Sequence, residues 1–283
     1  MPFLDTSAGL RIHYLDENPT GRASVVLLHG LGVNCTSWRL QIPALTQAGF
    51  RVIAPDAPGF GKSNFPGGSP SIASTASRIA EFIQMLGIYS YIAVGISMGG
   101  TLALQLALDH PETIQKMVLV NTFARLQVEN FRILPYVVLR MALVHTLGLP
   151  AQAHAVARRI FPHPDQEFLR QELVNQITQA DVHAYRATMR ALGRFDVRKR
   201  LCEINCPTLV ITGEADNTVP PLNQDFLAQS IRGAKQIHIP NAGHAVTIEK
   251  PDQFNPHLLE FLQYLYFREA VVFLAVFSQV PIA

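Results

Sequence analysis

Six consecutive residues, Gly95-Ile96-Ser97-Met98-Gly99-Gly100, restrict the fold of this chain more than any others, because of what stands on either side of them. Before them runs Tyr91-Ile92-Ala93-Val94, short, apolar and β-prone. After them runs Thr101-Leu102-Ala103-Leu104-Gln105-Leu106-Ala107-Leu108, free of Gly and Pro and rich in helix formers. The order predicts a buried strand, a sharp turn and a helix, with Ser97 on the turn. Small residues on both sides allow the backbone to pass close to itself in a strained conformation. The Ser97 hydroxyl then stands at the edge of a sheet, at the positive end of a helix. Gly-x-Ser-x-Gly alone occurs by chance in many chains, and its flanks give it weight.

A base and an acid follow in the right kind of place. Lys116-Met117-Val118-Leu119-Val120-Asn121 reads as a strand, and so does Pro207-Thr208-Leu209-Val210-Ile211-Thr212-Gly213, which opens into Glu214-Ala215-Asp216. A third run, Lys235-Gln236-Ile237-His238-Ile239-Pro240, opens into Asn241-Ala242-Gly243-His244. The acid and the histidine thus sit past the carboxyl ends of successive strands, the edge at which open α/β sheets bind ligands.

The chain order Ser97, Asp216, His244 resembles the α/β-hydrolase fold superfamily, serine-nucleophile branch. Two further stretches are similar to that family. Val25-Val26-Leu27-Leu28-His29-Gly30-Leu31-Gly32 looks like its His-Gly segment, with Trp38 at the usual interval. Asp56-Ala57-Pro58-Gly59-Phe60-Gly61-Lys62-Ser63, after the strand-like Arg51-Val52-Ile53-Ala54, looks like its Asp-x-x-Gly-x-Gly-x-Ser loop. The resemblance implies an α/β fold: a mostly parallel central sheet, helices on both faces and a helical cap insertion. It divides the chain into a core of residues 1–122 and 206–265, a cap of 123–205 and an apolar carboxy-terminal extension of 266–283.

The resemblance also assigns roles. Ser97 is the nucleophile, His244 its base, and Asp216 the carboxylate that holds the imidazole tautomer and stabilises its charged form. Glu214 is the local rival, but Asp216 matches the family position relative to Pro220. The amides of Met98 and Leu31 form the oxyanion hole, each such donor worth about 3 kcal/mol. His29 precedes a glycine in a loop-shaping motif and reads as structural. The other histidines, among them His110, His145, His154, His163 and His183, show no partner in the sequence and read as surface or packing residues.

The expected activity is a serine hydrolase that cleaves a small-to-medium hydrophobic carboxylic ester through an acyl-enzyme. Lactonases and cofactor-free haloperoxidases share the Ser97-Met98-Gly99-Gly100 pattern. The alternative is carbon–carbon hydrolysis of ring-cleavage diketones, although His29-Gly30-Leu31-Gly32-Val33-Asn34 lacks the His-Gly-x-Gly-Pro-Gly form of that group. A ligand receptor or scaffold that retains the triad is a reading from a different class. Serine rather than aspartate at the elbow sets the chain apart from epoxide hydrolases and haloalkane dehalogenases. No cofactor and no metal is expected: His-Glu-x-x-His, Gly-x-x-x-x-Gly-Lys and Gly-x-Gly-x-x-Gly opening a helix after a strand are all absent from the sequence.

Composition narrows partners and compartment. With 283 residues, 48% of them hydrophobic, the chain can bury one core domain plus an insertion. A formal net charge of +2 gives no clustered basic surface for nucleic acid. Cys35, Cys202 and Cys206 are an odd set without a disulfide framework, expected as buried or half-buried thiols in a reducing, cytoplasmic setting. The amino terminus reads as a strand, Gly9-Leu10-Arg11-Ile12-His13-Tyr14, and carries no secretory pattern.

The insertion reads as helices separated by Pro135, Pro150, Pro162 and Pro164. Its first segment is greasy (Phe131, Ile133, Leu134, Tyr136, Val137, Val138, Leu139, Met141, Leu143, Val144), as a packed helix, a pocket wall or a lid touching lipid would be. Arg186, Arg190 and Arg194 share a helical face, read as solvated, with a substrate carboxylate as the alternative. The tail from Ala270 to Phe277 is too short to span a membrane. It is expected to pack on its own domain or to pair two subunits, which leaves monomer, homodimer and membrane-surface contact open.

Overall fold

Alternating burial along the strands sets the layers. In the computed structural model, which describes residues 2–7, 9–126 and 134–263, Val25 and Leu27 pack with Trp38, Leu45 and Phe50 on one side of the sheet. Val26 and Leu28 pack with Phe60, Ile79 and Phe82 on the other. A strand buried on both faces must be apolar throughout, as these are. Among the described residues the strands are β1 (Phe3–Asp5), β2 (Arg11–Glu17), β3 (Ser24–Leu28), β4 (Arg51–Pro55), β5 (Tyr91–Ile96), β6 (Ile114–Val120), β7 (Thr208–Gly213) and β8 (Lys235–Ile239). They form one sheet in the order β1-β2-β4-β3-β5-β6-β7-β8. β1–β2 and β2–β4 pair antiparallel, and every later pair is parallel. This is the α/β-hydrolase architecture the sequence implies.

The parallel pairs need crossovers, supplied by helices on both faces. They include α1 (Ile42–Gln47), α2 (Ile72–Met85) and α3 (Met98–Asp109). Ser71 opens α2: its hydroxyl accepts from Ser74 N at 3.0 Å, and Ser74 Oγ answers the Ser71 amide at 2.9 Å. α3 is buried from Met98 through Leu108, which explains why it is apolar all round. Truncating Leu104 in its middle to Ala would cost about 2–5 kcal/mol. The expected first strand, Gly9–Tyr14, is corrected: β1 precedes it as an edge strand, and β2 starts at Arg11 and runs on to Glu17. Three residues starting at Phe3 carry too little alternation to show in the sequence.

Among the described residues, four helices, α4 (Leu134–Thr146), α5 (Gly148–Ile160), α6 (Glu167–Thr178) and α7 (Val182–Arg194), lie between β6 and β7. The chain leaves and re-enters at one neck, where Arg125 bridges Asp196 and Val197 N donates to Ala124 O at 3.0 Å. Pro135 and Pro150 fall in the first turns of α4 and α5, where a missing N–H costs nothing. Pro162 follows α5, and Pro164 opens a 3-10 turn (Pro164–Gln166). α4 buries Val144, while Leu134, Val138 and Leu139 are exposed; Phe131 and Ile133 lie outside the described residues. Arg186 donates to Val144 O through Nε (2.8 Å) and Nη2 (2.6 Å), tying α7 to α4, whereas Arg190 and Arg194 are exposed.

After β7 come α8 (Pro221–Ser230), α9 (Val246–Glu249) and a helical stretch at 251–263. The buried Lys116 of β6 donates from Nζ to the carbonyls of Phe261 (3.0 Å) and Leu262 (2.6 Å), tying this stretch to the sheet. The apolar extension 266–283 lies outside the described residues. No helix among the described residues is long and apolar enough to cross a membrane.

Candidate active site

Ser97 sits between β5 and α3 with φ +54° and ψ −116°, a conformation L-residues rarely adopt. Ser97 N donates to Val120 O at 2.9 Å, and its carbonyl accepts from Gly100 N (3.0 Å) and the Thr122 hydroxyl (2.7 Å). The glycines make room. A Cβ on Gly95 would run into the Gly99 carbonyl, and one on Gly99 into the carbonyl of Leu28 on β3. Strain of this kind costs about 1–3 kcal/mol and persists only where neighbours hold it.

Asp216 follows β7 and His244 follows β8. Asp216 Oδ2 meets His244 Nδ1 at 2.8 Å, and its Oδ1 accepts from Thr218 N (2.8 Å) and Val219 N (2.9 Å). Both side chains are buried, yet His244 lines a cavity that Ser97 also lines. Glu214 stays exposed in the turn after β7. Leu31 lines the same cavity, and among the described residues neither Leu31 N nor Met98 N donates to an acceptor.

Two positioning residues escape the sequence pattern. Asn121, fully buried at the end of β6, donates from Nδ2 to Gly243 O (3.0 Å) and His244 O (2.9 Å), and its Oδ1 accepts from Gly213 N (2.8 Å). It therefore binds the Asp216 strand to the His244 loop. Glu249 accepts from Gly243 N (3.1 Å) and Ala245 N (2.9 Å), gripping the backbone on both sides of His244. Burial pushes the Glu249 carboxyl above its ordinary value, against the pull of the two amides and of His244. The signal available beforehand was weak: a polar residue closing a buried strand in one case, an acid five positions beyond the histidine in the other.

His29 takes the structural place expected of it. Its ring accepts from Ala57 N at Nε2 (2.9 Å) and donates from Nδ1 to Gly30 O (2.8 Å). Burial holds its pKa below the ordinary value, so the ring is neutral. His13, Cys35 and Asp56 bring ligand-type atoms within 4.8 Å of one another. Asp56 is a hydrogen-bond hub rather than a free ligand: it accepts from Cys35 N (2.7 Å), Lys62 N (2.9 Å) and His13 Nδ1 (2.7 Å). Burial first, then Asp56, pushes the Cys35 thiol far above its ordinary pKa and keeps it protonated. The Asp56-x-x-Gly59-x-Gly61-x-Ser63 loop is explained by the same hub. Gly61 (φ +54°) leaves space for the Asp56 carboxylate, and Ser63 Oγ donates to Asp56 O at 2.8 Å. Cys206 is half-buried as expected; Cys202 is exposed, because on its turn Leu201 takes the inward position.

The cavity has a volume of about 180 Å³ and is partly open to solvent. α4 contributes Tyr136, Val137 and Arg140, α5 Val156 and Ile160, and α6 Leu169, Glu172, Leu173 and Gln176. The greasy segment is thus a pocket wall on one face and solvent-exposed on the other. Arg186, Arg190 and Arg194 do not line it. From the helices between β6 and β7 the guanidinium that does is Arg140, whose signal was being the one formal charge in α4. Such a site can hold an acyl group beside a serine and a carboxylate-backed imidazole.

The description "Alpha/beta hydrolase family" matches residues 25–257. The Variovorax paradoxus protein named "Putative carbamate hydrolase RutD" is 31% identical over 259 residues, which cover 89% of this chain and 96% of that protein. The 3-oxoadipate enol-lactonase 2 of Acinetobacter baylyi is 28% identical over 259 residues, 90% and 94% of the two chains. Among solved structures, the enol-lactonase of Burkholderia xenovorans LB400 superposes with a TM-score of 0.85 at 29% identity, covering 93% and 100%. A hydrolase of Pseudomonas aeruginosa PA01 does so at 0.84 and 28%, covering 92% and 97%.

Proposed function

The chain belongs to the alpha/beta hydrolase family, and from that membership we propose that it is a serine hydrolase cleaving a small-to-medium hydrophobic carboxylic ester through an acyl-enzyme. One observation carries the reading: Ser97 and His244 line one largely apolar cavity, with Nδ1 of His244 held 2.8 Å from the buried Asp216 carboxylate. Ser97 Oγ attacks the carbonyl carbon as His244 Nε2 takes its proton, and Asp216 stabilises the imidazolium. The developing oxyanion is met by Met98 N and Leu31 N, two amides that donate to no other acceptor among the described residues. Collapse expels the alcohol, which takes the proton from His244. Water then attacks the acyl-enzyme with the same base. The helices between β6 and β7 act as the cap that keeps bulk water from the ester. The free thiols of Cys35, Cys202 and Cys206 support a cytoplasmic setting.

A carbamate or an enol-lactone, the bonds in the names of the relatives, is open to attack by the same serine. Labelling with a small fluorophosphonate, mapped by mass spectrometry, tests the nucleophile, and p-nitrophenyl esters of increasing acyl length test the ester. An adduct on Ser97 with turnover is the expected result. No adduct and no turnover would overturn the reading in favour of a ligand receptor.

A further inference from the structure

The charges lining the cavity do not cancel. Arg39 and Glu172 pair with each other, Nη2 to Oε2 at 2.7 Å. Arg140 remains, on the wall contributed by α4. No carboxylate among the described residues pairs with it. Its partners are neutral: Nη2 donates to the Tyr185 hydroxyl at 2.9 Å. With the Gln152 carboxamide oriented by its hydrogen bonds, Nε and Nη2 donate to its oxygen at 2.7 and 3.2 Å. Tyr185 and Gln152 are fully buried, so they hold the guanidinium in one orientation. Nη1 has no hydrogen-bond partner among the described residues. The Tyr136 ring lies 5.6 Å from the guanidinium carbon, and Arg159 stacks on that ring at 4.1 Å, adding to the positive potential.

An arginine cannot shed its proton in a protein, and a desolvated guanidinium without an anion is costly to bury. A second observation points the same way. The hydroxyls of Tyr136 and Ser37 and the carboxamide oxygen of Gln176 are buried without hydrogen-bond partners, and all three residues line this cavity. A settled core leaves few polar atoms unmet, and three on the lining of one cavity fit a site for a polar ligand.

We propose that Arg140 receives a carboxylate, and that the substrate is a monoester or lactone carrying a second, free carboxylate on its acyl part. The proposal rests on the serine-hydrolase reading of Ser97. The planar guanidinium fork suits a carboxylate. One uncompensated positive charge on the lining matches a monoanion, whereas a phosphate monoester would bring excess negative charge. Much of the remaining lining is apolar, with Leu31, Val137, Val156, Ile160, Leu173 and Val219, which suits a hydrocarbon segment linking the two polar groups.

Monoethyl esters of the dicarboxylic acids from succinate to suberate, each set against the neutral ethyl alkanoate of equal chain length, test this. At one length or more, kcat/KM for the anionic ester exceeds that of the neutral ester by about tenfold or more, and Arg140→Met removes that preference, whatever it does to the absolute rates. A ratio of one or below at every length overturns the proposal, as does a preference that survives in Arg140→Met. Calorimetric titration of Ser97→Ala with monoethyl and diethyl adipate reads the same discrimination without turnover; equal affinity also overturns it. Tighter binding of the monoethyl ester alongside no fluorophosphonate adduct on the native chain would leave the carboxylate site standing and sink the hydrolase reading.

Discussion

Two Asp–His pairs in this molecule are built alike and end differently. Asp216 holds His244 by Nδ1 at 2.8 Å, and Asp56 holds His13 by Nδ1 at 2.7 Å. Each carboxylate also accepts two backbone amides, Thr218 and Val219 in one case, Cys35 and Lys62 in the other. The difference lies across the ring. His244 lines the cavity beside Ser97, while Nε2 of His13 is buried without a partner, its ring 5.1 Å from that of Phe3. A carboxylate-backed imidazole can act as a base only where its far nitrogen meets a proton to take. Sealed in the core, the same pair can only hold loops together.

The contrast can be broken most sharply at the serine and the two acids. Ser97→Ala is expected to lower ester turnover by about 10⁴-fold or more. Asp216→Asn follows at about 10⁴-fold in kcat, by favouring the wrong tautomer of His244, with the thermal midpoint little changed. Asp56→Asn reverses the pattern: roughly 3–5 kcal/mol of stability is lost by denaturant titration, and kcat/KM of the folded fraction stays within a few-fold. If Asp56→Asn abolished turnover and Asp216→Asn did not, the two pairs would have been assigned the wrong way round.

Smaller changes sharpen it. Asn121→Ala leaves Gly213 N, Gly243 O and His244 O without their buried partner, at about 1–3 kcal/mol. Because the freed loop carries His244, kcat should fall as well; a stability loss with unaltered kcat would make Asn121 a fold residue only. His29, the third buried histidine, gives the mildest effect, seen in pH. Burial lowers its folded pKa below 6.5, so the unfolded chain binds the extra proton first. Stability is then full above about pH 6.5 and lost as the pH falls below it, toward the lowered folded value. Urea midpoints measured between about pH 7.5 and 5 should decline, less steeply in His29→Gln. Identical profiles for the two proteins would contradict a neutral buried His29.

Much of this site was legible from consecutive residues. The elbow at Ser97 shows because small residues on a strand-to-helix turn are a local steric necessity. Asp216 and His244 show because each closes a short apolar run. Asn121 and Glu249 were not legible as partners of the His244 loop, since Asn121 reaches Gly243 across 122 positions. The paired role of Asp56 could be suspected from its motif, but that it faces His13 rather than solvent could not.

A mostly parallel sheet, with Ser97, Asp216 and His244 each following a strand and a helical insertion after β6, follows from the sequence alone, because backbone strain and two-sided burial are set by near neighbours. Tertiary structure decided which side chains finish the cavity. Arg140 lines it while Arg186 is spent on α4 and Arg190 and Arg194 face water. That choice depends on how four inserted helices rotate against one another, and rotation is settled by packing between segments far apart in the chain.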